Sequence, residues 1–308
     1  SLILALLIYN SCYMPTLALV NNISFQQMDN PGKQFPGVRV WGTIAWVLVG
    51  WVINFVLGPI FPNVELTTIP LKLGAGLSIL LGLYSFTLPN TPPRKVSKIV
   101  NIGDTLGLKT LKLLKDRSFM VFVISSLLIS IPLAFYYSFT NLFLNDLGMK
   151  NAASVQGIGQ MSEVLFMILM PWFFKRLGLK KMLLAGMLAW VIRYAMFAMG
   201  NTESEVWMLF LGIALHGICY DFFFVTGQIY VDKKAPQEIR ASAQGFITLI
   251  TYGVGMGIGS VISGNVLDLF TSAGQRDWFT FWWIPVIFAL LVSAMFLVTF
   301  KQQKELEK

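Results

Sequence analysis

Runs of apolar residues, each about 20 long, recur along the chain with short polar breaks between them. Such a run is long enough to cross the roughly 30 Å hydrocarbon core of a bilayer as a helix. Nine are read, at about 1–20, 38–57, 66–88, 119–144, 152–174, 181–200, 206–231, 240–267 and 278–300. The breaks carry turn chemistry: Asn30-Pro31-Gly32-Lys33, Gly58-Pro59, Pro89-Asn90-Thr91-Pro92-Pro93, Leu177-Gly178 and Ala273-Gly274. Barrel strands would alternate apolar and polar positions over about ten residues, and these runs do not. The pattern predicts an all-α polytopic membrane protein.

Composition narrows the picture. Hydrophobic residues make up 56% of the 308, charged residues only 12%, and mean hydropathy is +0.68. A soluble domain carries about 25% charged residues, so too little polar material is present to cover a water-facing surface. The net charge of +8 therefore does not point to nucleic acid. One histidine and two cysteines offer no zinc cluster and no disulfide scaffold, and no metal or cofactor is expected.

The basic residues explain the charge. Eighteen of the 23 lysines and arginines fall in alternate loops and the C-terminal tail, two (Lys150 and Arg276) in the opposite loops, and three (Arg39, Lys72, Arg193) inside spans. By the positive-inside rule the C-terminus is expected in the cytoplasm. Residues 89–118 form the one long loop, separating three spans (1–88) from six (119–300), with 301–308 as a cytoplasmic tail. In that loop Ile102, Leu106, Leu108, Leu111, Leu113 and Leu114, interleaved with basic residues, predict an amphipathic cytoplasmic helix. Six spans after the loop suggest six before it. Ser1 stands inside an apolar run, and the chain reads as a fragment holding spans four to twelve of twelve. A 6+6 layout with a basic central loop is that of major facilitator transporters, and Phe174-Lys175-Arg176-Leu177-Gly178-Leu179-Lys180-Lys181 sits where that superfamily has its basic, glycine-containing loop motif.

A charge in mid-membrane costs several kcal/mol, so it marks a functional candidate. Of 15 acidic residues only Glu163 and Asp221 lie deep in spans. Gln156, Gln160 and Glu163 stand at i, i+4 and i+7, one helix face, where amide and carboxylate can hydrogen-bond a polyhydroxylated solute or merely a neighbouring helix. Asp221, in His216-Gly217-Ile218-Cys219-Tyr220-Asp221-Phe222-Phe223-Phe224, has apolar surroundings in which a carboxyl can take up and release a proton near neutral pH. A fixed salt bridge to an in-span arginine is the alternative. Arg39 lies near a cytoplasmic helix end with Thr43 one turn on and Trp46 at i+7; it can face solute or snorkel. Arg193 is deeper, and pairing or packing is expected of it; Lys72 is expected to snorkel. His216 can titrate or pack, and its closeness to Asp221 makes it a candidate. Trp46, Tyr137 and Tyr220 share faces with polar residues and can stack on a ring. Gly253, Gly255, Gly257, Gly259 and Gly264 lack the strand before and helix after that a dinucleotide fingerprint needs, and predict close helix packing.

Five segments occur in order: Tyr13-Met14-Pro15-Thr16-Leu17, Arg39-Val40-Trp41-Gly42-Thr43-Ile44, Gln160-Met161-Ser162-Glu163, Asp221-Phe222-Phe223 and Ile239-Arg240-Ala241-Ser242-Ala243-Gln244-Gly245. Together they resemble the nucleoside:proton symporter family of the major facilitator superfamily, over nearly the whole chain. The resemblance implies a nucleoside site of Arg39, Thr43, Gln160, Glu163 and Asp221, with Asp221 linked to proton coupling. It also implies departures: Trp46 for Phe, His216 for Tyr, and Ala134 and Tyr137 for Gln and Asn, with Asn141 one turn on. These leave the transport class intact but open the choice of nucleoside.

The expected activity is proton-coupled import of purine and pyrimidine nucleosides by alternating access. The expected site is Arg39, Thr43, Trp46, Tyr137, Asn141, Gln160, Glu163, His216, Tyr220 and Asp221, with Asp221 and Glu163 carrying the coupling. Its partners are nucleosides, protons and the lipid of a bacterial cytoplasmic (inner) membrane, where it is expected to be a monomer. A facilitator for a sugar or other small polar solute would share the architecture. A membrane-embedded enzyme is not expected, for lack of a metal cluster, nucleophile–base motif or soluble catalytic domain.

Overall fold

The computed structural model describes residues 2–61, 64, 67–91, 108–149 and 152–301. It is 86% helical. The first three helices are α1 (Leu2–Gln26), α2 (Pro31–Trp51, continued by a π-helical turn, Val52–Leu57) and α3 (Ile69–Ser85). Proline opens α2 and α3, where its missing N–H is no loss. Then come α4 (Arg117–Asp146), α5 (Ala152–Met199), α6 (Val206–Lys234), α7 (Gln237–Leu269) and α8 (Trp278–Thr299). Six stretches among the described residues are long and apolar enough to cross a membrane, and Ile69–Ser85 is apolar but shorter.

At 48 residues α5 is roughly 70 Å of helix, far more than one bilayer core. Gly178 breaks it into two arms, 152–177 and 179–199, at φ 68° and ψ 174°, a backbone region open essentially to glycine. The break falls at the predicted Leu177-Gly178. Between α7 and α8 the chain forms a two-residue-per-strand hairpin, pairing Thr271 with Arg276 and Ser272 with Gln275. Its turn residues Ala273 and Gly274 both have positive φ, 50° and 80°, the turn whose twist suits a tight hairpin. Of the amphipathic helix predicted in the long loop, Ile102 and Leu106 lie outside the described residues. Leu108–Lys115 forms a 3₁₀ helix that packs Leu113 and Leu114 on the core.

Burial is uneven. In α4, 78% of the apolar window is buried, in α2 only 12%, and α3 has no buried residue. The core therefore lies among α4, α5, α6 and α8. It is aromatic: Trp190, Tyr194 and Trp282 stack in series at centroid separations of 5.7 and 5.6 Å, and Phe143 and Phe197 abut Trp282. Small residues permit the tightest approaches. A Cβ added at Gly259 of α7 would meet the Ala134 Cβ of α4 at 2.7 Å, and one at Gly255 would meet Ser130. That is the small-xxx-small contact predicted for this span. An added Cβ at Gly257 or Gly264 meets nothing within 4 Å.

Ion pairs tie the two ends of the bundle. Asp116 caps α4 by accepting from Phe119 N and pairs with Lys234 at 2.8 Å, joining the start of α4 to the end of α6. At the other end Asp146 accepts from Arg276 (2.7 Å) and from the Trp278 indole (3.1 Å). Lys180 donates to the carbonyls of Leu297 and Phe300, meeting the unpaired carbonyls at the end of α8.

Candidate functional site

Two of the in-span charges, Arg39 and Glu163, come together where α2 crosses the first arm of α5 and α6. Glu163 is buried, and Thr43 of α2 donates to its Oε1 at 2.7 Å. One turn earlier on α2, Arg39 Nη2 donates to Tyr220 Oη of α6 at 3.1 Å. The Tyr220 hydroxyl in turn bonds the Tyr252 hydroxyl of α7. Two polar bridges thus join α2 to the later helices. Local backbone helps to place them: α6 turns π-helical over Asp221–Val225 and α7 over Leu249–Gly255, so that Tyr252 sits within a π segment. Such segments recur at functional sites.

These groups face a cavity of about 480 Å³, within the usual size of a small-molecule site. Arg39, Thr43, Trp46, Tyr137, Gln160, Glu163 and Tyr220 line it, together with Tyr13, Asn21, Gln228, Thr248 and Tyr252. Charge, amide, hydroxyl and flat aromatic faces are all present, which suits a solute with a ring at one end and hydroxyls at the other. A second cavity, about 560 Å³, lies beside the end of α1 and the start of α7, lined in part by Asn22, Gln26, Asp232, Glu238 and Arg240. It is larger, but Asp232 and Arg240 lie 3.8 Å apart and oppose each other's charge. The smaller cavity is the better candidate because two in-span charges of opposite sign, Arg39 and Glu163, both line it.

Three residues expected at the site do not line this cavity. Asn141 is exposed, and its carbonyl and Oδ1 accept from Asn145 one turn on. His216 is buried behind Glu163, with Nε2 3.6 Å from Glu163 Oε2 and Nδ1 3.0 Å from Arg193 Nη1. Asp221 is fully buried, and neither of its carboxylate oxygens has a hydrogen-bond partner among the described residues. The nearby fields on it are those of Glu163 and Arg39. Gln156 turns back to its own helix, donating to the Ala152 carbonyl at 3.3 Å. Arg193 is packed, as expected of it, over the face of Tyr136 at 3.4 Å from the ring centroid. Lys72 is exposed.

Tyr252, Tyr13, Asn21, Gln228 and Thr248 were not anticipated from sequence. Tyr252 sits three residues before Gly255, in a stretch legible only as glycine-rich packing.

A helical bundle long and apolar enough to span a membrane, with charged side chains turned onto a mid-bundle cavity, defines a multi-pass membrane transporter. Comparison with known proteins sharpens that class. The family described as Nucleoside H+ symporter matches residues 1–305, and the chain belongs to that family. It is a proton-coupled nucleoside transporter and not an enzyme. It is 41% identical to YegT of Escherichia coli (strain K12), over 96% of this chain and 72% of that one. It is 33% identical to the nucleoside permease NupG of the same strain, over 98% of this chain and 74% of that one. The crystal structure of a NupG point mutant superposes with a TM-score of 0.74 at 32% identity, covering 94% of this chain and 74% of that one. The crystal structure of NupG itself gives a TM-score of 0.69 at 33% identity.

Proposed function

We propose that the chain imports purine and pyrimidine nucleosides with protons, by alternating access, through the cavity lined by α1, α2, α4, α5, α6 and α7. The observation that carries this reading is the convergence of Arg39, Thr43, Gln160, Glu163 and Tyr220 on one cavity with flat aromatic walls. Gln160 and Glu163 hydrogen-bond ribose or base, Arg39 and Thr43 complete the polar set, and Trp46 or Tyr137 stacks on the base. Asp221 carries the coupling proton: it is a fully buried in-span carboxyl whose two carboxylate oxygens have no hydrogen-bond partner among the described residues, which marks it as a functional charge. His216 takes part from behind Glu163, and Asn141 is proposed as a further substrate-binding residue.

The nine predicted spans correspond, in this reading, to spans four to twelve of a 6+6 protein. Residues 1–88 belong to the first half, 89–118 to the connecting loop, 119–300 to the second half and 301–308 to the tail. Coverage of about three-quarters of each relative's length supports that assignment. The protein acts as a monomer in the lipid of a bacterial inner membrane with its C-terminus in the cytoplasm, a reading supported by the 18-to-2 partition of basic residues. A sugar facilitator is the competing reading. Competition separates them: unlabelled uridine or adenosine should suppress uptake of a labelled nucleoside, and hexoses and disaccharides should not. Suppression by sugars and not by nucleosides would overturn the assignment.

A further inference from the structure

Behind the cavity wall lies a buried line of three polar side chains, Arg193, His216 and Glu163, of which only Glu163 reaches the cavity. A guanidinium has donors only and does not deprotonate. The 3.0 Å contact from Arg193 Nη1 to His216 Nδ1 therefore requires that Nδ1 be the acceptor, without a proton. The ring's one remaining hydrogen must then sit on Nε2, the atom 3.6 Å from Glu163 Oε2 and just beyond hydrogen-bond distance. Thr43 already donates to the other carboxylate oxygen.

We propose that Arg193 is a positioning residue for nucleoside recognition, acting through His216: it fixes the tautomer that turns Nε2–H toward Glu163 and so holds that carboxylate aimed into the cavity. The proposal rests on Glu163 being a nucleoside ligand.

Arg193 is fully buried, its guanidinium lies over Tyr136, and its Nε and Nη2 have no hydrogen-bond partner among the described residues. That costly burial is reconciled by the aromatic face and by the carboxylate at the far side of His216. The His216 ring stacks on Tyr136 of α4 at 5.4 Å and tilts against Tyr220 of α6 at 5.8 Å, so its plane is set from two sides. The titratable and charged groups around the line are Arg39 of α2, Tyr136 and Tyr137 of α4, Glu163 and Tyr194 of α5, and Cys219, Tyr220 and Asp221 of α6. Gly217 lets the backbone close up beside the line, where its N–H donates to Ser162 Oγ at 2.9 Å.

Two histidine variants separate orientation from proton carriage. An amide has an acceptor and a donor but takes no proton in this range, so His216→Gln preserves the arrangement that the proposal requires. His216→Phe keeps a ring and removes both polar atoms. Nucleoside uptake by the full chain in membrane vesicles should show KM raised several-fold in His216→Phe, because the carboxylate loses the N–H dipole that orients it. Maximal rate should change little, and His216→Gln should recover most of the KM. Arg193→Leu should match His216→Phe, and the double variant should be no worse than His216→Phe alone, because Arg193 acts through the histidine. Equal damage from Gln and Phe, or additive losses in the double variant, would overturn the proposal. Should Arg193→Leu fail to insert, the Gln-against-Phe comparison decides alone. Wild-type vesicles that take up no nucleoside would overturn the transport reading itself. Wild-type uptake with an unchanged KM in His216→Phe would overturn only the positioning role.

Discussion

At the scale of single residues, the central interaction is the 2.7 Å hydrogen bond from Thr43 to Glu163. A hydroxyl donating to a carboxylate in a buried setting contributes about 1.5–3 kcal/mol, and it holds the Glu163 carboxylate against α2. Replacing Thr43 by Val keeps the shape and removes the donor. Nucleoside KM should rise roughly ten-fold or more while protein abundance in the membrane stays normal; an unchanged KM would take Thr43 out of the site. Arg39 is a different kind of residue: it donates from Nη2 to the Tyr220 hydroxyl, which continues the line to Tyr252. The charged members of the site were legible in the sequence because charge inside an apolar span is costly and therefore scarce. Tyr252 and Tyr13 were not, since a tyrosine in a membrane span looks like any other amphipathic aromatic. His216 and Asp221 were legible as polar, but not as lying behind the wall, because helix periodicity gives a face and not a depth.

Elements bring these residues together through glycines and caps. A Cβ on Gly217 of α6 would lie 2.4 Å from the Ser162 carbonyl oxygen and 2.7 Å from Glu163 N. Gly217→Ala must therefore push α6 off the first arm of α5, an overpacking change of about 1–3 kcal/mol, at the point where Glu163 is held. Uptake should fall sharply in Gly217→Ala, and it should not in Gly264→Ala, where an added Cβ meets nothing within 4 Å. Equal activity of the two would refute close packing as the device that sets the site. Asp116 does two jobs, capping α4 and pairing with Lys234. Asp116→Ala should lower stability by about 1 kcal/mol for the cap alone, and Asp116→Asn should keep more of that cap; thermal unfolding in detergent measures both. Span breaks were legible because glycine and proline interrupt apolar runs, most clearly at Gly178. The π segments at Asp221–Val225 and Leu249–Gly255 were not, as one extra residue in a turn leaves no mark on composition. The hairpin at 271–276 was visible only as a turn, since two-residue strands are too short to show alternation.

For the whole molecule, the +8 charge that might suggest an acidic partner is distributed by topology, concentrated in alternate loops. The chemically decisive charges are the few inside the bundle. Helix class and family could be read from the chain because apolar length and five ordered motifs survive without coordinates. The meeting of α2 with α5 and α6 could not, since that contact joins residues 120 or more positions apart, as Thr43 and Glu163 are. Alternating access asks that such bridges break and re-form as the helices of one half move against the other. The coupling claim, that Asp221 binds the driving proton, is tested most directly by uptake of labelled uridine and adenosine into vesicles at an imposed proton gradient, for wild type and Asp221→Asn. The account predicts gradient-driven accumulation in the wild type, abolished by an uncoupler, and no gradient-driven accumulation in Asp221→Asn. Normal accumulation by Asp221→Asn under the same gradient would contradict it.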